Sequence, residues 1–590
     1  MGNSPEKEKV QIDFKRDQKF FEHEGSSRVV TSGSLYMFFS LINASCIWIF
    51  IILGTSWEGL KYFGLTTAIN GIVGLIGIGI SRYFIAEIKA AFVINEELGQ
   101  LKATTYSKLL FLIGIGLGLG MIATPFVFGF FLTNTLLREC IFASGFSSFL
   151  IYSTFVFQIG LEIKNRYDII AFTSIFNGIF ILLFAFIFIS NSLNPFWFAF
   201  YPFFNIITLI LLIYFFKRLA PYSIYGIIKS SLRSRNMRKK ASPEIRELIE
   251  DHQILIYMKN SLYSMITNIQ NSKFFEDILF FIAAIYLAIF SDPSYQALSL
   301  SLLTVLMAYG AVKSVILYYS APLNIEIAEA CVKECHETVE ESINASTRIS
   351  SILALGFLTA MVALSGELLF YLHKDFFIEG TVFNWDFFVM AQILFILIIT
   401  GQFLYGYSTL FGNALIGSGN AGLAAKGFTI TLLIIIATSP LFIFFYGILG
   451  IGIVMLISSL FLLPYILIQL KRKLEINYNF KIYRLIPNLV ILFLIMWGFP
   501  YNSTISMIIG IILSAALYLF LNPFLGVSIP EDLQMINDLF NTLKLKLFGN
   551  FIVNVMKITY NFSPLNKDRI ILEEDKLILV NKRENLLNPH

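Results

Sequence analysis

Four ionisable side chains stand where the surroundings are least hospitable to charge. Lys273, Glu276 and Asp277 fall in one long apolar run, and Lys313 falls in the next. Charges inside hydrocarbon are costly and persist mainly where they face a cavity or a partner. Counting back from Phe290 puts Lys273 ~25 Å along its helix at a rise of ~1.5 Å per residue. In a hydrocarbon core ~30 Å thick that is just inside one boundary. Lys313 precedes Ser320 by ~10 Å on the same scale, and Arg82 stands near the end of an earlier run. Three cations at similar depth suit an anionic headgroup, a phosphate or pyrophosphate, which fixed charges in low dielectric hold strongly. Glu276 and Asp277 offer a structural alternative, because Lys273 reaches them at i+3 and i+4 on its own helix. Arg82 in that account only marks the membrane edge. Asn70 is read as cavity lining or as polar glue between helices, as are Asn43, Asn177, Gln270, Gln392 and Gln402.

Other chemistry is hard to find. The chain has no P-loop, no Gly-x-Ser-x-Gly, no His-Glu-x-x-His and no aspartate-rich pair, so an enzyme is not expected. Its five histidines (23, 252, 336, 373 and 590) all lie outside the apolar runs. Cys46, Cys140, Cys331 and Cys335 make no disulfide framework. Cys331, Cys335 and His336 cluster at helical spacing, but a metal needs further ligands and none is near. No metal or cofactor is expected, and nothing points to nucleic acid.

The elements that carry these charges follow from composition. Of 590 residues, 56% are hydrophobic and 14% charged, with 61 Phe and 27 Tyr. Soluble domains run near ~45–50% apolar and ~25% charged. The apolar runs are solid and of bilayer length, so they are helices; barrel strands would be about 10 residues and alternating. Fourteen segments result: 34–54, 62–85, 107–132, 138–161, 168–190, 195–216, 261–290, 294–320, 347–371, 386–411, 423–445, 448–470, 485–500 and 503–522. The predicted class is an all-α polytopic membrane protein with about 14 transmembrane helices.

Loop charge sets the orientation. With the N-terminus in the cytoplasm, the far-side loops hold only Lys61, Arg138 and Lys374 of the 43 Lys and Arg. The N-terminal tail 1–32 is polar and reads as cytoplasmic, with no cleavable signal peptide. The expected location is the cytoplasmic membrane, multi-pass, with both termini inside.

The break from Lys217 to about Asn260 is strongly basic and divides six helices from eight. It is a topology signal, and it attracts anionic headgroups at ~1 kcal/mol per basic residue. Predicted divisions are a first six-helix lobe over 33–216, the basic loop 217–260, a second lobe over 261–470, helices 13–14 over 471–522, and 523–590 as a C-terminal amphipathic helix and tail. Pro530, Glu531 and Asp532 start that helix, with Leu533, Ile536, Leu539 and Leu543 at helical spacing. The last twenty or so residues read as a charged tail.

Several stretches, taken in order, resemble the MOP superfamily of exporters and, within it, the Wzx-type flippases of lipid-linked oligosaccharides. They are Ser32 to Ser34, Gly64 to Ala68, Gly77 through Arg82 to Glu87, Ala321 to Ala330, Asn413 to Asn420, Tyr446 to Gly452 and Pro530 to Leu533. The resemblance spans roughly residues 30–545 and departs in the basic middle loop and the Glu276–Asp277 pair. It implies two six-helix lobes around a cavity, alternating access, and a polyprenyl tail that stays in lipid while the sugar crosses. It places the cavity on segments one, two, seven and eight, where Lys273, Glu276 and Lys313 fall. Implied partners are membrane lipid, the lipid-linked sugar and glycan-assembly enzymes, for a chain that acts as a monomer. Two alternatives compete. One is a MATE-like cation-coupled small-molecule exporter, against which segment one offers no carboxylate. The other is a membrane glycosyltransferase or polymerase, for which the far-side loop 372–385 with its neighbour Asp386 supplies few acids.

Overall fold

The computed structural model describes most of residues 57–229, 272–533 and 546–563, with scattered helical positions between Val29 and Ile49. The basic stretch 230–260, most of the helix predicted from Pro530, and the tail beyond 563 lie outside the described residues.

Among the described residues every predicted segment falls on helix; residues 261–271 of segment seven, Gln270 included, lie outside them. After the helical positions of segment one come α1 (Trp57–Ile94), α2 (Glu96–Val127), α3 (Thr135–Ile163) and α4 (Tyr167–Asn191). A 3-10 turn, Pro195–Phe204, leads into α5 (Asn205–Leu219), followed by the short α6 (Ile224–Lys229). Next are α7 (Ser272–Phe290), α8 (Pro293–Ala308), α9 (Ala311–Val332), α10 (His336–Ala363) and α11 (Ser365–His373). A two-residue hairpin pairs β1 (Ile378–Glu379) with β2 (Val382–Phe383). The chain continues as α12 (Trp385–Gly417), α13 (Ala421–Tyr446), α14 (Leu449–Leu474), α15 (Ile486–Gly498), α16 (Thr504–Phe524) and α17 (Lys546–Phe562). Among the described residues nine helices are long and apolar enough to cross a membrane, and shorter apolar helices add to them. The protein is an all-helical, multi-pass membrane protein.

Several helices outrun their apolar segments. Segment two was read as ending at 85 and segment three as starting at 107, yet α1 and α2 meet at Asn95. Polar pairing supports these extra turns. Lys102 donates to Glu87 at 3.3 Å across the hairpin, and Asn95 Oδ1 accepts from the Glu97 amide at 2.7 Å, satisfying a first-turn donor. Segment eight likewise runs on past Ser320 to Val332, through Pro322.

The chain forms two compact units, Met1–Ser346 with Leu368–Tyr478, and Thr347–Glu367 with Asn479–His590. In the first unit, α2 and α3 approach closely at Gly118 and Gly145. A Cβ on Gly118 would stand 3.0 Å from the Gly145 carbonyl. Small residues of this kind let helix backbones touch where lipid gives no hydrophobic drive to associate. Tyr152 on α3 donates to the Val73 carbonyl of α1 at 2.8 Å, and Phe84 stacks on Tyr106 at 4.1 Å. Further along the chain, Tyr405 on α12 bonds Ser458 on α14 at 2.6 Å. In the second unit Tyr518 on α16 donates to the Ile352 carbonyl at 2.7 Å. Asn488 donates to the Tyr518 carbonyl and to Asn522 Oδ1. α17 buries Val553, Met556 and Tyr560 and leaves Phe551, Ile558 and Phe562 exposed on its opposite face.

His373, just beyond segment nine, is 4% exposed. Burial pushes its pKa down from 6.5 to about 4, so the folded imidazole is neutral. Unfolded, it takes up a proton near pH 6.5. Between about pH 4 and 6.5 the unfolded chain therefore binds more protons, and stability falls as pH falls through this window. The full gap amounts to about 3 kcal/mol at ~1.36 kcal/mol per pKa unit. Thermal unfolding in detergent should lose stability from pH 7 to pH 4.5, and His373→Phe should flatten that dependence.

Candidate functional site

One face of α1 meets helices from the second half of the chain at two well-separated levels. At the first, Gly64 lies against α7 and α8. A Cβ there would collide with Thr304 Oγ1 and stand 2.9 Å from the Phe280 ring. Only the absent side chain lets the helices come this close. At the second level Lys89 faces Glu329 on α9, Nζ to Oε2 3.6 Å. Arg82 follows Gly64 by 18 positions, five turns at ~3.6 residues each, so it shares Gly64's register on this face. Lys89 is within about 20° of the same line.

α7 repeats the arrangement. Phe280, the residue opposite Gly64, is 2% exposed. Lys273, Glu276 and Asp277 precede it by seven, four and three positions and so occupy the same helix face. The side chains of Arg82, Lys273, Glu276 and Asp277 lie outside the described residues; helix register alone puts these four positions on the seam faces, and not at the common depth expected, since Lys273 is ~10 Å along from Phe280 whereas Arg82 is ~27 Å along from Gly64.

Lys313 sits two residues into α9 and is 8% exposed. Its place is set by α12. A Cβ on Gly406 would stand 3.4 Å from Lys313 Cα and 2.9 Å from the Ile316 side chain. Three turns on, Gly417 packs against the backbone and side chain of Asn324. Two glycines of α12 thus hold one face of α9 flush against it at two levels, the first at Lys313 itself. On α12, the fully buried Gln402 lies 3.5 Å by Nε2 from the Met307 carbonyl.

Asn70 belongs elsewhere. Ser147 on α3 donates to its Oδ1 at 2.6 Å, which fixes the amide in the seam between α1 and α3. The structure does not bring it to the α1 face that carries Gly64, Arg82 and Lys89.

Nothing in the local sequence pairs Lys89 with Glu329. Their meeting joins residues 240 positions apart. The one local signal was Lys333, spaced i+4 from Glu329 and bonded to it at 2.9 Å. About three turns earlier on α9, Ser34 shares a 2.9 Å hydrogen bond with Tyr319, and Tyr36 meets Tyr318 edge-on at 4.8 Å. The cluster Cys331, Cys335 and His336 gathers no further ligands: among the described residues no group of His, Cys, Asp and Glu could hold a metal.

No protein-family model matches the sequence, and no curated protein matches it either. Solved structures do match in fold. An outward-facing multidrug resistance MATE family transporter of the MOP superfamily superposes with a TM-score of 0.54, at 15% identity, over 77% of this chain and 95% of that one. The inward-facing form of such a transporter gives 0.51 at 15% identity, over 76% and 99%. A MOP superfamily transporter from Pyrococcus furiosus, described by the reverse polarity of its binding pocket, gives 0.54 at 14% identity, over 77% and 96%. The chain therefore has the fold of the MATE transporters of the MOP superfamily.

Proposed function

We propose that this protein is a transporter, not an enzyme, and that it flips a lipid-linked oligosaccharide across the cytoplasmic membrane by alternating access. The observation that carries this is the seam between α1, α7 and α9. Lys313 is buried on α9, and Lys273 and Arg82 hold positions on the α7 and α1 faces that carry Phe280 and Gly64, so cations recur along the seam at different depths. Such a site favours an anion, and a polyprenyl phosphate or pyrophosphate carries one at the junction of sugar and tail. In this reading the two lobes, 33–216 and 261–470, rock about the seam, the sugar passes between them, and the tail remains in lipid. Both termini are cytoplasmic, the chain acts as a monomer, and glycan-assembly enzymes supply and take up its cargo.

A second reading follows from the neighbours themselves: a MATE-like exporter of small molecules coupled to a cation. Against it, segment one holds no carboxylate. The Pyrococcus furiosus neighbour, named for a reversed pocket polarity, supports the view that this fold accommodates pockets of either sign.

Purified protein in liposomes decides between the two. Defined polyprenyl-linked sugars in one leaflet should become accessible from the other side only when the protein is present. Accumulation of soluble cationic dyes without headgroup translocation would overturn the flippase reading in favour of the exporter.

A further inference from the structure

Lys89 on α1 and Glu329 on α9 come from opposite halves of the chain, yet their contact is long, 3.6 Å, and each has a shorter bond at home. Lys89 Nζ donates to the Ile163 carbonyl at 3.1 Å, at the last residue of α3. Terminal carbonyls of a helix lack partners within it and attract cations. Glu329 Oε1 accepts from Lys333, one turn along α9, at 2.9 Å. Both charged groups are mostly buried, with side chains 15% and 10% exposed. Separating a buried ion pair ordinarily strands two charges and is strongly unfavourable. Here separation leaves each group a hydrogen bond, because Lys89 keeps the Ile163 carbonyl and Glu329 keeps Lys333.

We propose that Lys89 and Glu329 form a separable latch that holds the two six-helix halves together at this end of the seam and releases when the seam opens there. This rests on the alternating-access reading. The neighbouring contacts make a seal of a different kind. Ala321 and Ile325 of α9 sit in one apolar core with Phe84 and Ile88 of α1. Ser34 bonds Tyr319. Those contacts act only when surfaces touch, whereas two opposite charges attract across a gap of several ångströms. The seal therefore supplies the closed state's apolar burial, and the latch draws the halves back into register. With short bonds retained on both sides, closing and opening differ little in polar bonding, as a cycling transporter requires.

The test is access to Ile325, which is 1% exposed. Ile325→Cys is labelled with a soluble maleimide and quantified by mass spectrometry at that peptide. Ser34→Cys, 5% exposed, serves as a second reporter should the first disturb packing. Labelling should be slow in the parent and about five-fold faster in Lys89→Gln or Glu329→Gln, the shift expected for losing one partly exposed ion pair. Gln at position 89 can still donate to the Ile163 carbonyl, so a purely structural role would leave labelling unchanged. The double variant should label no faster than either single one, since both remove the same contact. Unchanged labelling in both single variants, or additive rates in the double, would overturn the latch. The assay needs no cargo. Failure of oligosaccharide translocation would leave it readable, and a negative labelling result would leave the cargo assignment standing.

Discussion

Lys313→Met should lower headgroup translocation about ten- to a hundred-fold, beyond any accompanying loss of folded protein. Translocation per folded molecule is therefore the quantity to read. Lys313 is 8% exposed on a helix that packs flush on α12 at Gly406 and Gly417. Lys313 interacts with its surroundings, and removing one member of a buried charged contact strands the other and costs stability. If the lysine served only to hold the fold, transport would fall in proportion to the folded protein in the membrane. If it binds the phosphate, transport per folded molecule falls further. A charge-assisted hydrogen bond is worth about 1.5–3 kcal/mol, so the loss should be about ten- to a hundred-fold. Lys313→Arg keeps the charge and should retain part of the rate. Parental transport by Lys313→Met would remove this residue from the anion site. Lys273→Met offers the same comparison one helix away, where Glu276 and Asp277 make a structural pairing the rival account.

The membrane helices were legible because a run of about 20 apolar residues has one physical solution in a bilayer. Segments 62–85 and 386–411 sit within α1 and α12 for that reason. What hydropathy could not see is the helix beyond the hydrocarbon. The ends of α1, α2 and α9 are polar, and they are held by pairs such as Glu87 with Lys102 and Glu329 with Lys333. α17 was legible only as part of an amphipathic C-terminal region. Lys546, Asn550, Asn554, Lys557 and Asn561 do form one polar stripe along it, but the apolar arc is wide enough to bury Val553, Met556 and Tyr560 on one side and leave Phe551, Ile558 and Phe562 exposed on the other. The β1–β2 hairpin is too short to leave a pattern.

The site was legible in its charges but not in its geometry. Arg82, Lys273 and Lys313 were conspicuous as cations in apolar surroundings. That Arg82 shares the register of Gly64, and that Gly64 is where α1 meets α7 and α8, depends on contacts between residues more than 200 positions apart. Asn70 shows the converse. A buried amide signals that it needs a partner, but not whether the partner is cargo or, as here, Ser147.

Gly64 carries the second large effect. In a helix interior, Gly→Ala ordinarily stabilises by about 0.5–1 kcal/mol because alanine loses less backbone entropy. At this position the added methyl would collide with Thr304 Oγ1 and press on the Phe280 ring. Thr304 has little room to yield, since its hydroxyl is committed to the Leu300 carbonyl at 2.8 Å. Overpacking of this sort costs about 1–3 kcal/mol, and here it falls on the contact between the halves, not on the folding of α1. Gly64→Ala should therefore keep a well-folded protein yet slow translocation about ten-fold, and Gly64→Leu should stop it, because the seam can no longer close at this end. The discriminating variant pairs Gly64→Ala with Thr304→Ala. Removing the hydroxyl makes room for the new methyl, so the double variant should recover most of the lost rate, a coupling that only residues in direct contact show. If the double variant stays as slow as Gly64→Ala, the close approach of α1 to α8 is not what limits transport, and closure at this level must rest on other contacts of the seam.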